Sequence, residues 1–368
     1  MKPPFGLRKQ ELLSLLDGVR KSKDVPAPIH KTTQMYDHLI PKHMKDMDWQ
    51  DHLAKYGWAV VPVPDCDPEY YLNKFYEWLE GCSPVSVKTI REEKPNYTTR
   101  SEPKFRSNDP TTWLHKNMPE NLHGIFKQYL AHQPWQWELR EQCYPIFREI
   151  YGTKKLLCSF DGGCFLKPLS KSSTEPAVNG YKQWLHLDQD RLSQLTDGHD
   201  PNKMSCVQGL VNLLDCGPAD GGLVLVEKSH TQFAGYFERH PADGYGWFRV
   251  DMSDSELSKL KVIKVCAPAG SLVLWDSRMV HANCPPTSNQ PRVCLYVSMQ
   301  PRKYANEKEL KKRIKLFESG RQTGHWCAGH LLKETAKHPN SHGNPIVMPE
   351  EPFCVPELSS LSKKLVGY

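Results

Sequence analysis

Between residues 206 and 227 the chain reads Cys206-Val207-Gln208-Gly209-Leu210-Val211-Asn212-Leu213-Leu214-Asp215-Cys216-Gly217-Pro218-Ala219-Asp220-Gly221-Gly222-Leu223-Val224-Leu225-Val226-Glu227. Two short runs of aliphatic and β-branched residues flank a cluster of Gly, Pro and Asp. Runs of that length bounded by turn residues read as strands of a buried sheet. The pattern continues outward. Leu156–Phe160, Cys164–Lys167 and Trp184–Asp188 precede it, with Asp161-Gly162-Gly163 as a further turn; Val262–Cys266, Ser271–Trp275 and Val293–Met299 follow. Eight short strands in succession predict an antiparallel double-sheet or barrel fold.

Outside this region the period is helical. Leu12, Leu13, Leu16 and Val19 form one apolar stripe, and Trp49, Leu53 and Ala54 suggest another. A β-like run, Trp58 to Val63, interrupts the helices before Tyr71, Leu72, Phe75, Trp78 and Leu79, whose spacing predicts a helix. Further helices are expected around Leu122–Leu130 and Trp135–Tyr151, and segment 83–112, rich in Pro, Ser, Thr and charge, as a long loop. After Gln300 a basic helix sets Leu310, Ile314 and Phe317 on one face, with Lys311, Lys312, Arg313 and Lys315 on a solvated face; an irregular tail follows from Gln322. The expected class is α+β with a mainly β core. Residues 1–150 form a helical layer, 151–300 the core and 301–368 a C-terminal extension, within one integrated domain.

Composition narrows the function. Hydrophobic residues make up 39% of the 368 and aromatics 10%, enough for a core and too many for a largely disordered chain. The net charge of +6, from 48 basic and 42 acidic residues, is too small to argue for nucleic acid by itself. No apolar run approaches the roughly 18 residues of a membrane span. The N-terminus lacks the apolar stretch of a signal peptide. The twelve cysteines are sparse and irregularly spaced, without a C-x-x-C. They are expected to be reduced, with Cys158, Cys206, Cys266 and Cys294 buried, in a cytoplasmic or alternatively nuclear setting.

Within the strand-rich region lies Trp184-Leu185-His186-Leu187-Asp188. Residues two apart on a strand share a face, so His186 and Asp188 can aim an imidazole and a carboxylate into one cavity. They supply two ligands of a 2-His-1-carboxylate triad, which leaves metal positions open for dioxygen and substrate. His281, after the run Gly270 to Val280, is the leading candidate for the third. Eleven residues beyond it Arg292 heads the strand Val293-Cys294-Leu295-Tyr296-Val297, where a guanidinium could grip a carboxylate bidentately.

Four blocks in order resemble the phytanoyl-CoA dioxygenase family of Fe(II)- and 2-oxoglutarate-dependent oxygenases: Leu166-Lys167-Pro168, the metal motif through Gln189, Asp220 to His230, and Gly270 to Arg292. The chain also resembles one branch of that family in Ser159 to Gly162, Val207 to Val211, Trp275 to Arg278 and Arg321 to Trp326. The resemblance implies a double-stranded β-helix, a jelly-roll of cupin type. It implies that His186, Asp188 and His281 bind Fe(II), and that Arg292 pairs with the distal carboxylate of 2-oxoglutarate. Lys167 and Asn283 would assist in holding the co-substrate, although Pro168-Leu169 departs from the family's Pro-Pro. The implied reaction consumes 2-oxoglutarate and O2, releases succinate and CO2, and hydroxylates a C–H bond. Asp188 disfavours a halogenase, because halogenases of this kind lack that carboxylate.

Three further side chains are candidates. Gln208, inside an apolar strand, either contacts co-substrate or substrate or bonds neighbouring backbone. Arg278 either binds an anionic substrate group, with Trp275 beside it, or pairs with Asp276 or Asp161. His325, Cys327 and His330 resemble a zinc cluster but lack a fourth ligand, so tail packing is expected; His230 is expected to be structural. The leading function is hydroxylation of a small organic substrate. The alternatives are the same chemistry on a protein or nucleic acid, and a non-catalytic jelly-roll that binds a ligand.

Overall fold

The computed structural model describes residues 42–84, 105–114, 117–119, 124–126, 129–168, 184–242, 246–329, 332, 340–341, 344–347 and 354–368. The chain divides into two compact units, Met1–Asp37 and His38–Tyr368. The first lies outside the described residues, as do the stripe expected at Leu12–Val19, most of segment 83–112 and His330.

In chain order the strands are β1 (Trp58–Pro62), β2 (Ser83–Pro84), β3 (Ile125–Phe126), β4 (Leu156–Cys158), β5 (Gly163–Leu166), β6 (His186–Leu187), β7 (Val207–Asn212) and β8 (Gly222–Val226). There follow β9 (Phe248–Arg249), β10 (Val262–Lys264), β11 (Ser271–Asp276), β12 (His281–Cys284), β13 (Arg292–Tyr296), β14 (Met299–Pro301), β15 (Asn340–Ser341) and β16 (Asn344–Val347). The helices are α1 (Lys42–Lys45), α2 (Trp49–Tyr56), α3 (Pro68–Gly81), α4 (Pro134–Tyr151), α5 (Arg191–Thr196), α6 (Phe233–Arg239), α7 (Glu307–Glu318) and α8 (Ser360–Val366). An eight-stranded sheet runs β1-β11-β7-β13-β5-β3, with β14 and β4 attached beside β7. A five-stranded sheet runs β10-β8-β12-β6-β9. All their pairings are antiparallel. These are the two open sheets of a double-stranded β-helix, as the run of short strands predicts.

Side-chain alternation sorts the core into layers. On β11, Leu272 and Leu274 join a cluster with Phe75, Trp78 and Leu79 of α3 and with Leu139 and Phe147 of α4, which puts these helices on the outer face of the large sheet. The intervening Val273 and Trp275 join Leu210, Cys164, Cys294, Leu223 and Leu225 between the sheets. On β8 the other parity, Val224 and Val226, packs with Phe233, Tyr236 and Phe237 of α6. Burying one such side chain contributes about 1.5–3 kcal/mol, so a one-residue register slip on either strand would forfeit several at once.

Local signals explain the flanking elements. Asp67 caps α3 by accepting from the N–H groups of Glu69 and Tyr70, and Pro68 begins the helix. Gly57 ends α2 at φ +89°, and a Cβ there would lie 2.2 Å from Met279 Sδ and 2.6 Å from His230 Nδ1. Only glycine turns the chain from α2 into β1 at that distance.

Several expectations fail. Among the described residues, the stretch expected as a helix around Leu122–Leu130 contains strand β3, paired with β5, and a 3-10 turn begins at Leu130. The tail from Gln322 is not irregular throughout, since it ends in α8, capped by Ser359. The basic helix exists as α7, with Phe317 buried, but Arg313 leaves the solvated face and is fully buried. Its guanidinium donates to the carbonyls of Val366, Cys327, Cys158 and Leu365 and lies over the Phe160 ring. Cys158, Cys206 and Cys294 are buried, whereas Cys266 is half-buried; no disulfide joins cysteines among the described residues. No helix among these residues is long and apolar enough to cross a membrane.

Candidate active site

The small sheet builds a ligand set by register. His186 on β6 stands directly opposite His281 on β12, and their ring centroids are 4.4 Å apart. Asp188, two residues beyond His186 and so on the same face, completes a group whose ligand atoms all lie within 4.8 Å of one another. Backbone carbonyls fix both tautomers. His186 Nδ1 donates to Trp184 O and His281 Nδ1 to Met279 O, each at 3.0 Å. Each ring therefore turns Nε2 toward Asp188, at 3.4 Å from Oδ1 for His186 and 3.2 Å from Oδ2 for His281. Donors about 2.1 Å from one divalent ion and at right angles stand about 3 Å apart, and the two His–Asp separations are close to that spacing.

Electrostatics agrees with the geometry. Burial alone would raise the Asp188 carboxyl, but the His281 charge and hydrogen bonds from His186 and His281 outweigh it and hold the group well below the usual carboxylate range. Burial would likewise depress His281, and Asp188 reverses the direction. Gln208 on β7 donates from Nε2 to Asp188 Oδ2 at 2.9 Å. That bond is neither of the partners expected from sequence: the amide orients the carboxylate of the ligand set.

On the large sheet Arg292, at the start of β13 and 3% exposed, lies outside the cavity lining but behind one of its residues, Asn283. Its Nη1 donates to Asn283 Oδ1 and approaches Cys164 Sγ at 3.8 Å. Its Nε and Nη2 are buried with no partner among the described residues. Against burial, the neighbouring Cys294, Cys164 and Tyr296 side chains raise the guanidinium further, so it stays charged. A Cβ on Gly221 would lie 2.8 Å from Arg292 Cβ, which explains why the turn before β8 carries glycine. Two buried donors of a charged guanidinium without acceptors cost several kcal/mol unless a ligand satisfies them, and a carboxylate matches the fork.

The cavity is about 150 Å³ and is lined by the triad, Gln208, Trp275 and Asn283, as expected, and also by Asp161, Tyr296 and His325. Sequence reasoning gave the last three no role in the site. Asp161 and His325 do fall in the Ser159–Gly162 and Arg321–Trp326 blocks, which were the available signal. His325 Nδ1 reaches 3.9 Å from Asp188 Oδ2, while Cys327 is buried against Ser298 and Gln300, so this segment packs as tail and forms no zinc site among the described residues. Of the two readings of Arg278, the pairing with Asp276 is the one observed: both carboxylate oxygens of Asp276 and the Pro201 carbonyl take its donors, and it does not line the cavity. Lys167 is half-buried beyond β5 and also lies outside the cavity lining. His230 sits under Gly57, beside the Ala54 carbonyl, in a structural position.

Comparison with known proteins shows what the chain is similar to. Residues 115–294 match the family model described as phytanoyl-CoA dioxygenase (PhyH). The chain is 29% identical over 288 residues to "Ava biosynthesis cluster protein O" of Aspergillus versicolor, a match covering 74% of this chain and 83% of the relative. Among solved structures, EctD from S. alaskensis in its apoform is similar at 14% identity, covering 73% of this chain and 80% of that one, with a TM-score of 0.42. A structure described as "non-heme monooxygenase; ThoJ apo" is 14% identical, covers 69% and 77%, and gives a TM-score of 0.40. Residues 115–294, which hold the triad and Arg292, are thus similar to the phytanoyl-CoA dioxygenase family model.

Proposed function

We propose that the protein is an Fe(II)- and 2-oxoglutarate-dependent oxygenase that hydroxylates a small organic substrate. The observation that carries this reading is a pairing at one cavity. Three ligand atoms converge from His186, Asp188 and His281, and a buried guanidinium, Arg292, with two donors that have no partner among the described residues, stands behind Asn283 of the cavity wall. A metal site alone would fit many functions, and a buried arginine alone would be a structural oddity. Together they match a metal and a dicarboxylate held side by side.

His186 and His281 would offer Nε2 and Asp188 a carboxylate oxygen to Fe(II), and Arg292 would grip the distal carboxylate of 2-oxoglutarate, with Asn283 steadying its Nη1. Bound iron and 2-oxoglutarate would supply oxidation of a substrate C–H bond by O2, with release of succinate and CO2. The chain's own residues perform the remaining work. The carbonyls of Trp184 and Met279 keep both Nδ1 atoms protonated, so Nε2 stays available as a donor. Gln208 holds the carboxylate of Asp188 in place. Trp275, Leu223 and Tyr296 wall the cavity and limit water. A cavity of about 150 Å³ suits a small molecule.

The test is ligand-dependent stabilisation under argon. Fe(II) with 2-oxoglutarate is expected to raise the Tm of the wild type by several degrees, by binding the folded state alone. In Arg292→Gln, Fe(II) alone should still stabilise while 2-oxoglutarate adds nothing. An equal 2-oxoglutarate increment in both proteins would refute the assignment of Arg292.

A further inference from the structure

The triad and Arg292 leave one charged group of the cavity unexplained. Asp161, in the turn between β4 and β5, lines the cavity and is 9% exposed. Its carboxylate accepts one hydrogen bond, from the Gly162 N–H at 3.0 Å, and forms no ion pair among the described residues. Asp188, the other carboxylate of the lining, is engaged by His186, His281 and Gln208. A cation of the chain, Arg140, lies close enough to feel the Asp161 charge, and its Nε has no partner among the described residues. Arg140 donates to the main-chain carbonyls of Ala131 and Asp161 and stacks on Trp137 at 4.4 Å, with no bond to the Asp161 carboxylate.

Two indoles, Trp184 and Trp275, line the same cavity, and a third, Trp247, lies outside the lining against His186. Trp184 stacks on His186 at a centroid distance of 4.9 Å, Trp247 is tilted over His186 at 5.6 Å, and Trp275 is tilted against His281 at 5.5 Å. Trp275 is buried, whereas Trp247 is 55% exposed beside a buried histidine. Indole faces attract cations, and a carboxylate among aromatic rings is a recurrent arrangement for a positively charged nitrogen. The charges are also sorted: the cationic Arg292 end suits a dicarboxylate, while Asp161 would repel one.

The wall that carries Asp161 is held by the C-terminal extension. Phe160 N donates to Thr323 Oγ1 at 3.1 Å, and Thr323 N donates to Phe160 O at 3.0 Å. Gln300 and Arg313 fix Cys327 in the same segment. Asp161 is thus presented by a braced turn, and its position does not depend on a free loop.

We infer that Asp161 is the substrate anchor of this site and that it takes a cationic nitrogen, a protonated amine or a guanidinium, whose apolar body lies against Trp184, Trp247 and Trp275. For the chemistry this rests on the oxygenase reading; the binding claim stands apart from it. The probes are three molecules with one phenyl body: phenethylamine (cationic), 2-phenylethanol (neutral) and 3-phenylpropanoate (anionic). Each is titrated calorimetrically, without oxygen, into protein holding Fe(II) and 2-oxoglutarate. The wild type should bind the amine about tenfold more tightly than either other probe. Asp161→Asn, which keeps the acceptor for Gly162, should lose that preference with its 2-oxoglutarate affinity unchanged. Trp247→Ala, at an exposed position that folding does not need, should weaken the amine about threefold. Absence of an amine preference in the wild type, including no binding of any probe, overturns the inference. So does a preference that survives Asp161→Asn. If the amine preference holds while 2-oxoglutarate fails to bind, the oxygenase reading falls and the Asp161 anchor stands.

Discussion

Arg313 and Arg292 are both buried guanidiniums, one fully and the other 3% exposed, and they do opposite things. Arg313, on α7, places its donors on four main-chain carbonyls and its plane on Phe160. It joins the C-terminal helix α8, the Cys327 segment and β4. Arg292, on β13, has a side-chain oxygen and a thiol on Nη1 and nothing on Nε or Nη2 among the described residues. A satisfied buried charge is a structural tie; on the proposed function, the two donors that Arg292 leaves without a partner among the described residues would take an anion. Burial alone does not separate the two cases; the account of donors does.

That contrast can be broken by exchanging the consequences. Arg313→Met should cost at least about 3 kcal/mol of stability by orphaning buried carbonyls, read as a lower urea midpoint, with little change in 2-oxoglutarate affinity per folded molecule. Arg292→Leu should do the reverse. It should weaken 2-oxoglutarate about 100-fold, near 2.7 kcal/mol, and leave stability unchanged or raised, since an unsatisfied charge has been removed. Equal destabilisation by both substitutions would show that Arg292 is a structural tie as well. Gln208→Leu sharpens the metal side: losing a group that orients a ligand typically weakens metal binding about 10-fold, measurable by chelator competition, without altering the 2-oxoglutarate increment.

The smallest expected effect is a pH slope. His132, packed between Phe160 and Phe317 and donating from Nε2 to the Arg321 carbonyl, is depressed by burial to about 3. The unfolded chain protonates this ring below about pH 6.5, while the folded chain resists until about pH 3. Its contribution is therefore complete above pH 6.5 and is lost as the pH falls through that window, at no more than about 1.4 kcal/mol per pH unit. His132→Gln should flatten the decline of urea stability between pH 6.5 and 4.5; an unchanged slope would show that other groups carry it.

How far the sequence spoke depended on range. His-x-Asp begins on β6 and ends one residue beyond it, so its shared face follows from local geometry, and the strand run announced two sheets. The spacing of His281 and Arg292 drew its meaning from a family pattern. Asp161 and His325 meet in the cavity although 164 positions separate them, and nothing in the local period of either says so. Arg313 fits the polar side of a basic helix by composition, yet α8 and the Cys327 segment arrive from beyond to bury it. Ile125–Phe126 sits in a stretch that looked helical, and pairing with β5 overrides the local period. The errors thus fall where distant segments supply the partner.

The central claim is that the His186–Asp188–His281 face and Arg292 hold one metal and one 2-oxoglutarate together. Its most direct test is anaerobic titration of the purified protein with Fe(II) and 2-oxoglutarate, following the weak visible metal-to-ligand charge-transfer band. The account predicts a band in the wild type that His186→Ala abolishes and Arg292→Ala restores only at far higher 2-oxoglutarate. Folded wild-type protein that gives no band at saturating concentrations of both would contradict it.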